Sequence, residues 1–330
     1  MSKSKLIIQM QRLLRKRGRT AGEIAKKEIF REKFYYRPVR EALHYFMGEF
    51  WCNFQHPALL SLACEAVGGK AEKTAGIGAA LVLLTGAVDI HDDILDRSKV
   101  KESKPTVFGI FGQDIALIVG NILLIKGFQL LNRACDRLPK KQRKAVFDII
   151  KDGFLKLGMG VALEMSLKGQ WNVAPEEYFE VVKSKAAIAE AVAKIGAVLG
   201  GGTQSEITSM AKYGKVLGIL ATIRDDFIDM FEPDELLNRA KNESLPLPLL
   251  YAFRNLEVKK KIIELLKKEF LSEEDTSMIV EAVMKTEGVQ KLRELMKALL
   301  QDGIRHISFV NNGNIVQILT NLLIATVEDL

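Results

Sequence analysis

Cysteine is scarce in this chain of 330 residues: Cys52, Cys64 and Cys135 are all it has. Three thiols so far apart form neither a zinc-ligand spacing nor a disulfide framework, which points to a reducing compartment, the cytoplasm. No stretch alternates apolar and polar residues as a half-buried strand would, and no glycine-rich turn joins a strand to a helix, so an α/β fold has no support. Long uninterrupted apolar runs are missing too. The uncharged run 74–88 is too short to span a bilayer, and 307–327 is broken by Asn311, Asn312, Gly313 and Asn314. No transmembrane helix is expected. The opening "MSKSKLIIQMQRLLRKRGR" lacks the apolar core and small-residue cleavage site of a secretory leader.

What is present is charge and helical periodicity. Lysine and arginine number 48 against 41 acidic residues, a net charge of +7. That balance suits an anionic membrane surface, a phosphorylated substrate or a nucleic acid. The basic runs "RLLRKRGR" and "KKK" at 259–261 are not interleaved with aromatics and match no reading motif, so no nucleic-acid partner is expected. Hydrophobic residues make up 48%, enough for a large core. The segments "KTAGIGAALVLLTGAVDIHDDILD", "IALIVGNILLIKGFQLLNRA", "RKAVFDIIKDGFLKLGMGVALEM" and "SMAKYGKVLGILATIRDDFIDMF" are too long for strands and nearly apolar all round, as in buried bundle helices. Breaks are expected at 68–72, 102–106, 138–142, 169–175, 200–203 and 244–248, and Pro175 followed by two glutamates reads as a helix start. Residues 1–37 read as a basic amphipathic helical segment, a surface element or lid capable of peripheral membrane contact. The expectation is one all-α domain over 1–330.

Two aspartate clusters interrupt the apolar helices. Asp92, Asp93 and Asp96 close one, and Asp225, Asp226 and Asp229 close another. Residues four apart share a helix face, where like charges repel and partial desolvation adds to the cost. A hard cation removes both penalties, and Mg²⁺ takes a few carboxylates, waters and substrate phosphates. Two such helices facing each other would hold several ions and leave positions open for a diphosphate. One cluster alone reads equally well as a solvated acidic face, but two copies of D-D-x-x-D make that reading weak.

These residues resemble the two aspartate-rich motifs of the trans-isoprenyl diphosphate synthase family, the polyprenyl synthetases, which have the class I terpenoid synthase fold. "HDDILD", "KPTVFGIFG", "VGNILL" and "RDDFID" are similar to family blocks in the right order, from about residue 57 to 250. "GVALEM" is similar to a glycine-glutamine-x-x-acid helix, with Val161 at the glutamine and Glu164 at the acid. "SKAAIAEAVAKIG" places Lys185 at a family lysine. The resemblance implies a single large antiparallel helical bundle around a deep central cavity, and usually a homodimer. It implies three Mg²⁺ ions held by the six aspartates, an allylic prenyl diphosphate as substrate, and Lys101, Lys185 and Lys241 on its diphosphate.

The chain departs from the family where isopentenyl diphosphate is expected to bind. Asn53, Phe54 and His56 stand in place of a lysine and two arginines, and Glu102 replaces the second arginine of a pair whose first is Lys101. Phe108 replaces a histidine. The loop after Asp229 is shorter than the family's. Charge-assisted hydrogen bonds hold diphosphates, so losing these cations disfavours a second diphosphate. The expectation is a Mg²⁺-dependent terpene synthase that ionises a C15–C20 or longer allylic diphosphate and cyclises or quenches the carbocation. The alternative is a chain-elongating synthase that condenses isopentenyl diphosphate with an allylic diphosphate. A non-enzymatic subunit is disfavoured by two intact clusters. Under either enzyme, Ala87 and Val88, with Leu84 and Leu81 further along the helix, are expected to set the chain length accepted, with Phe108 lining the same cavity.

Overall fold

The computed structural model describes residues 4–101, 103–328 and 330. Glu102, singled out above, lies outside them. The fold is helical throughout apart from one two-stranded hairpin, as the periodicity requires. The chain falls into two compact units. One contains Ile8–Asp148 and Val192–Ile207; the other contains the segment ending at Ile7, Ile149–Ala191 and Thr208–Leu330.

In the first unit, α1 (Lys5–Phe30, from Ile8 on), α2 (Arg37–Tyr45) and α3 (Gln55–Ala66) precede α4 (Ala75–Leu95). The apolar run seen in the sequence becomes α4, whose residues 77–87 are all buried. It ends at Asp96, and Arg97 then takes a left-handed conformation (φ 57°). The strands β1 (Val100–Lys101) and β2 (Lys104–Pro105) pair antiparallel. Thr106 caps α5 (Val107–Cys135) by accepting from the Gly109 N–H at 2.9 Å. The helices α4 and α5 run antiparallel in close contact. Gly76 lies against Ala134, Leu84 against Gly127 and His91 against Gly120, so one number falls as the other rises. A Cβ on Gly127 would come within 2.7 Å of the Leu84 side chain, so glycine there sets the approach of the two helices.

By length and composition alone, two helical stretches are apolar enough to cross a membrane, Ala71–Leu95 and Val107–Cys135. The second stretch qualifies despite Asp114, Lys126 and Arg133 within it and a kink at Gly112 (φ 78°), whereas no such helix is expected from the sequence. The first stretch is largely buried in its unit. The second leaves Ile110, Leu117, Ile118, Ile125 and Phe128 exposed, Ile125 by 67%.

In the second unit, α7 (Pro175–Lys185) starts at Pro175 with Glu176 and Glu177 in its first turn, as the sequence suggests. The long helix α9 (Gln204–Asp229) carries the second aspartate cluster at its end. It is followed by α10 (Pro233–Asn242), α11 (Leu247–Ala252), α12 (Leu256–Leu266), α13 (Glu273–Met284), α14 (Glu287–Arg305) and α15 (Gly313–Val327). Tyr213 on α9 donates to the Leu319 carbonyl of α15 at 2.8 Å, and Gly303 of α14 sits against Leu323 and Val216. These contacts fix α9 within its unit. The helices α6 (Lys140–Ser166) and α8 (Ala187–Gly200) complete the chain.

Candidate active site

The first cluster ends α4. Asp89 joins it, giving Asp89, Asp92, Asp93 and Asp96 at helical spacings of three and four, one face of the last two turns. Asp93 is buried, 1% exposed, and its Oδ1 lies 2.6 Å from the Lys101 Nζ. The connection to α5 puts Lys101 there. Ser98 donates its N–H to the Asp93 carbonyl at 2.9 Å, and the Thr106 hydroxyl donates to the Ser98 carbonyl at 2.7 Å. Asp92 and Asp96 are half-exposed. Burial and the charges of Asp92 and Asp93 push the Asp89 carboxyl up to about 7, against the pull of Lys101. Burial would lower Lys101, but Asp93 and Asp92 outweigh it and raise its pKa.

The second cluster has a different cation. Arg239 on α10 is buried, 7% exposed at its side chain, and reaches Asp226 Oδ1 at 3.0 Å and Asp229 Oδ2 at 3.1 Å. The same guanidinium donates to the Tyr178 hydroxyl at 2.8 Å and to the Ser244 carbonyl at 2.9 Å. The Leu247 N–H donates to the other Asp226 oxygen at 3.0 Å, so both oxygens of this buried carboxylate are engaged. Nearby, Lys185 sits 2.6 Å from Glu164, which also accepts from the Ser244 hydroxyl at 3.1 Å. Burial would raise Glu164, but Lys185 and Arg239 hold it below the usual carboxylate range. Asp225 reaches solvent yet is crowded by protein on its other sides; desolvation and Asp226 push it up to about 6. Burial pushes Asp229 up to about 7 despite Arg239.

The remaining expected site residues fall in varied places. Lys185 pairs with Glu164. Lys241 is exposed and donates to the Glu269 carbonyl at 3.1 Å, so the cation that touches the second cluster is Arg239, two residues earlier. Asn53, Phe54 and His56 have packing and turn roles. Asn53 accepts from the Gln55 N–H at 3.1 Å. The Phe54 ring meets Trp51 edge-on at 5.0 Å, and Phe54 packs against Gly18 and Gly22 of α1. Burial pushes His56 down to about 4, so it carries no charge at neutral pH. Leu81, Leu84 and Ala87 are fully buried, with Leu84 in the Gly127 notch of α5; Val88 and Phe108 are half-buried.

Asp89, Arg239 and Tyr178 were not singled out from the sequence. For Asp89 the signal was available, since it lies three residues before Asp92. For Arg239 and Tyr178 no local signal exists, because their contacts span 13 and 48 residues to Asp226.

Among the described residues, no three of His, Cys, Asp and Glu converge as a ready metal cage. The donors nonetheless fit a hard divalent cation. They are carboxylate oxygens, and several have raised pKa values because burial and like charges leave negative charge undercompensated. Asp225 is exposed, Asp89, Asp92, Asp96 and Asp229 are half-exposed, and Asp93 and Asp226 are buried. A separate cavity of about 540 Å³, bounded by Phe231, Glu273, Thr276 and Glu281, offers carboxylates and no cation, which does not suit a diphosphate.

The wider comparisons agree with this geometry. A "short chain isoprenyl diphosphate synthase" of Methanothermobacter thermautotrophicus is 35% identical over 56% of this chain, and the chain spans 56% of that protein's length. A geranylgeranyl diphosphate synthase of Sulfolobus acidocaldarius is 28% identical over 73% of this chain and 70% of its own. The crystal structure of a geranylgeranyl pyrophosphate synthetase from Pyrococcus horikoshii superposes with a TM-score of 0.85 at 21% identity, covering 98% of this chain and 99% of that one. At that identity the likeness establishes the all-α isoprenyl synthase fold. The sequence pattern of the polyprenyl synthetases matches residues 55–283, a stretch that takes in both aspartate clusters, and this chain belongs to that family.

Proposed function

We propose that this protein is a Mg²⁺-dependent trans-isoprenyl diphosphate synthase of the geranylgeranyl type, which condenses isopentenyl diphosphate with an allylic diphosphate. The observation that carries this is the presence of two accessible-edged aspartate clusters inside the stretch that matches the family, together with relatives named as isoprenyl and geranylgeranyl diphosphate synthases. This favours the alternative drawn from the sequence over the terpene synthase. Asp92, Asp96 and Asp225 would hold Mg²⁺, which when bound supplies positive charge to the leaving diphosphate. Lys101 and Lys185 add fixed positive charge beside the two clusters, each already paired with a carboxylate. Arg239 holds Asp226 and Asp229 in place and adds a charge that no pH change removes.

Elongation requires cations for a second diphosphate, and Asn53, Phe54 and His56 cannot supply them. Arg97, Lys99 and Lys104, all exposed on the connection between α4 and α5, are the candidates this chain offers for that role. The engagement of Asn53, Phe54 and His56 in packing favours a second reading, in which the allylic diphosphate alone is converted to a hydrocarbon or alcohol. Mass spectrometry separates the two. Pure protein with Mg²⁺ and farnesyl diphosphate is expected to yield a longer diphosphate only when isopentenyl diphosphate is added. Hydrocarbon or alcohol formed without it would establish the second reading.

The exposed apolar face of α5 supports a homodimer, since a contiguous apolar stripe on a folded protein is a surface for a partner. Leu117→Glu combined with Ile125→Glu should convert a dimer to a monomer in sedimentation velocity. An unchanged sedimentation coefficient would place the contact elsewhere.

A further inference from the structure

The excess positive charge of this protein is concentrated at one end of the sequence. Residues 1–41 contain thirteen Lys and Arg against four Glu, a net +9, while the whole chain carries +7. The structure sorts these charges by direction. On α1 the buried residues Met10, Gly18, Ala21, Ala25 and Ile29 line one face. At 100° per residue, Arg12, Lys16, Arg19 and Lys27 fall on the opposite side with Arg15 and Lys26 along its edge, and all but the half-buried Lys26 are exposed.

The acidic residues of the segment are turned away from that face. Glu28 pairs with Lys126 of α5 at 2.9 Å and with Arg133 at 2.7 Å, and Glu32 pairs with Lys126 at 2.7 Å. Glu41 pairs with Arg37 at 2.6 Å. Among the described residues Glu23 is the single carboxylate left within the basic stripe. The stripe continues past the end of α1 into Arg31 and Lys33, all exposed, and there it acquires aromatics. Tyr35 is 95% exposed and Tyr36 64%, far more than rings of that size usually are. Phe30 is also exposed, stacked on His44 at 4.2 Å, and the Lys26 ammonium lies 5.3 Å from its ring centroid.

We propose that the outward face of α1 and the connection to α2 dock this protein on an anionic phospholipid surface. A row of cations about 28 Å long, from Arg12 to Arg31, matches a plane of lipid phosphates. Tyrosine is the ring that settles at the depth of lipid headgroups, with its apolar body inward and its hydroxyl in water. A nucleic acid would also attract the cations. It gives no reason for two tyrosines held out at the tip of the segment, outside any groove, so the lipid surface accounts for more of what is seen. The proposal is independent of the reaction assigned to the aspartate clusters.

Co-sedimentation of the full chain with phosphatidylcholine vesicles, with and without phosphatidylglycerol, tests this at about 0.15 M salt. Binding is expected only with phosphatidylglycerol and should weaken as salt rises. The quadruple variant Arg12→Gln, Arg15→Gln, Lys16→Gln, Arg19→Gln should partition roughly a hundredfold or more less strongly. Tyr35→Ser with Tyr36→Ser should weaken binding while leaving its salt dependence unchanged. Helical circular dichroism should match the unaltered chain in both variants, because these side chains face solvent. Equal binding to both vesicle types, no binding to either, or an unaltered quadruple variant would overturn the proposal. So would tight association with duplex DNA in the absence of vesicle binding, which would assign the face to nucleic acid.

Discussion

The two aspartate clusters are spelled alike and built differently. Each presents D-D-x-x-D at the end of a long helix, α4 or α9. In each the second aspartate, Asp93 or Asp226, is buried to within 2% exposure and paired with a cation of the protein. In each the first aspartate, Asp92 or Asp225, remains accessible. The cations differ. Lys101 pairs with Asp93 from a hairpin and is 38% exposed, whereas Arg239 is buried and binds two aspartates, a glutamate, a tyrosine and a backbone carbonyl. The motif therefore reports where carboxylates gather. Which of them are free for a metal, and which are spent on the fold, is decided by residues outside it.

The largest expected effect separates outer from inner aspartates. Asp92→Asn and Asp225→Asn should each lower turnover by about a thousandfold or more, with helical circular dichroism and denaturant midpoint close to unaltered. Comparable turnover in both would remove the clusters from the chemistry. Next comes the contrast between the cations. Arg239→Gln leaves Asp226 buried without its partner and should cost about 3–5 kcal/mol in urea unfolding. Lys101→Gln acts on a partly exposed pair and should cost clearly less. Equal losses would show that the two clusters are held alike.

How much of this could be read from the chain follows the range of the interactions. The helices ending at Asp96 and Asp229 are legible because periodicity is local, and so is the Pro175 start of α7. Asp89 was legible by spacing but hidden behind the more familiar motif. Arg239 was not, because its contacts with Asp226 and Asp229 come from the packing of α10 against the end of α9. That Asn53, Phe54 and His56 carry no fixed positive charge was visible. What Phe54 does instead was not, since it meets glycines more than thirty residues earlier on α1. Likewise the exposed stripe of α5 is apolar in sequence exactly as a buried helix would be, so composition alone could not tell which side lacks cover.

A smaller effect is expected from pH. In the presence of a chelator, Asp89, Asp225 and Asp229 retain protons to about 7, 6 and 7 in the folded protein. Unfolded aspartate loses its proton near 3.9. The folded state therefore binds more protons than the unfolded state between about pH 4 and 7, and stability falls as pH rises through that window. Saturating Mg²⁺ should flatten the slope by favouring the ionised carboxylates. Urea midpoints across this range check it, and a midpoint that rises with pH would contradict the sign. Smallest of all, Lys241→Ala should change turnover less than about twofold, because its ammonium is exposed and engaged with the Glu269 carbonyl. A loss as large as that of Asp225→Asn would return Lys241 to the diphosphate.

The most direct test asks whether each cluster gives its outer aspartate to metal and keeps its inner one for the protein. The quantity is the rise in melting temperature caused by Mg²⁺ with inorganic diphosphate, measured for Asp92→Asn, Asp225→Asn and Asp226→Asn against each variant's own metal-free baseline. The account predicts that Asp92→Asn and Asp225→Asn lose most of the rise at a nearly native baseline, while Asp226→Asn has a lowered baseline and keeps most of it. A full rise in Asp92→Asn and Asp225→Asn, or its abolition in Asp226→Asn alone, would contradict it.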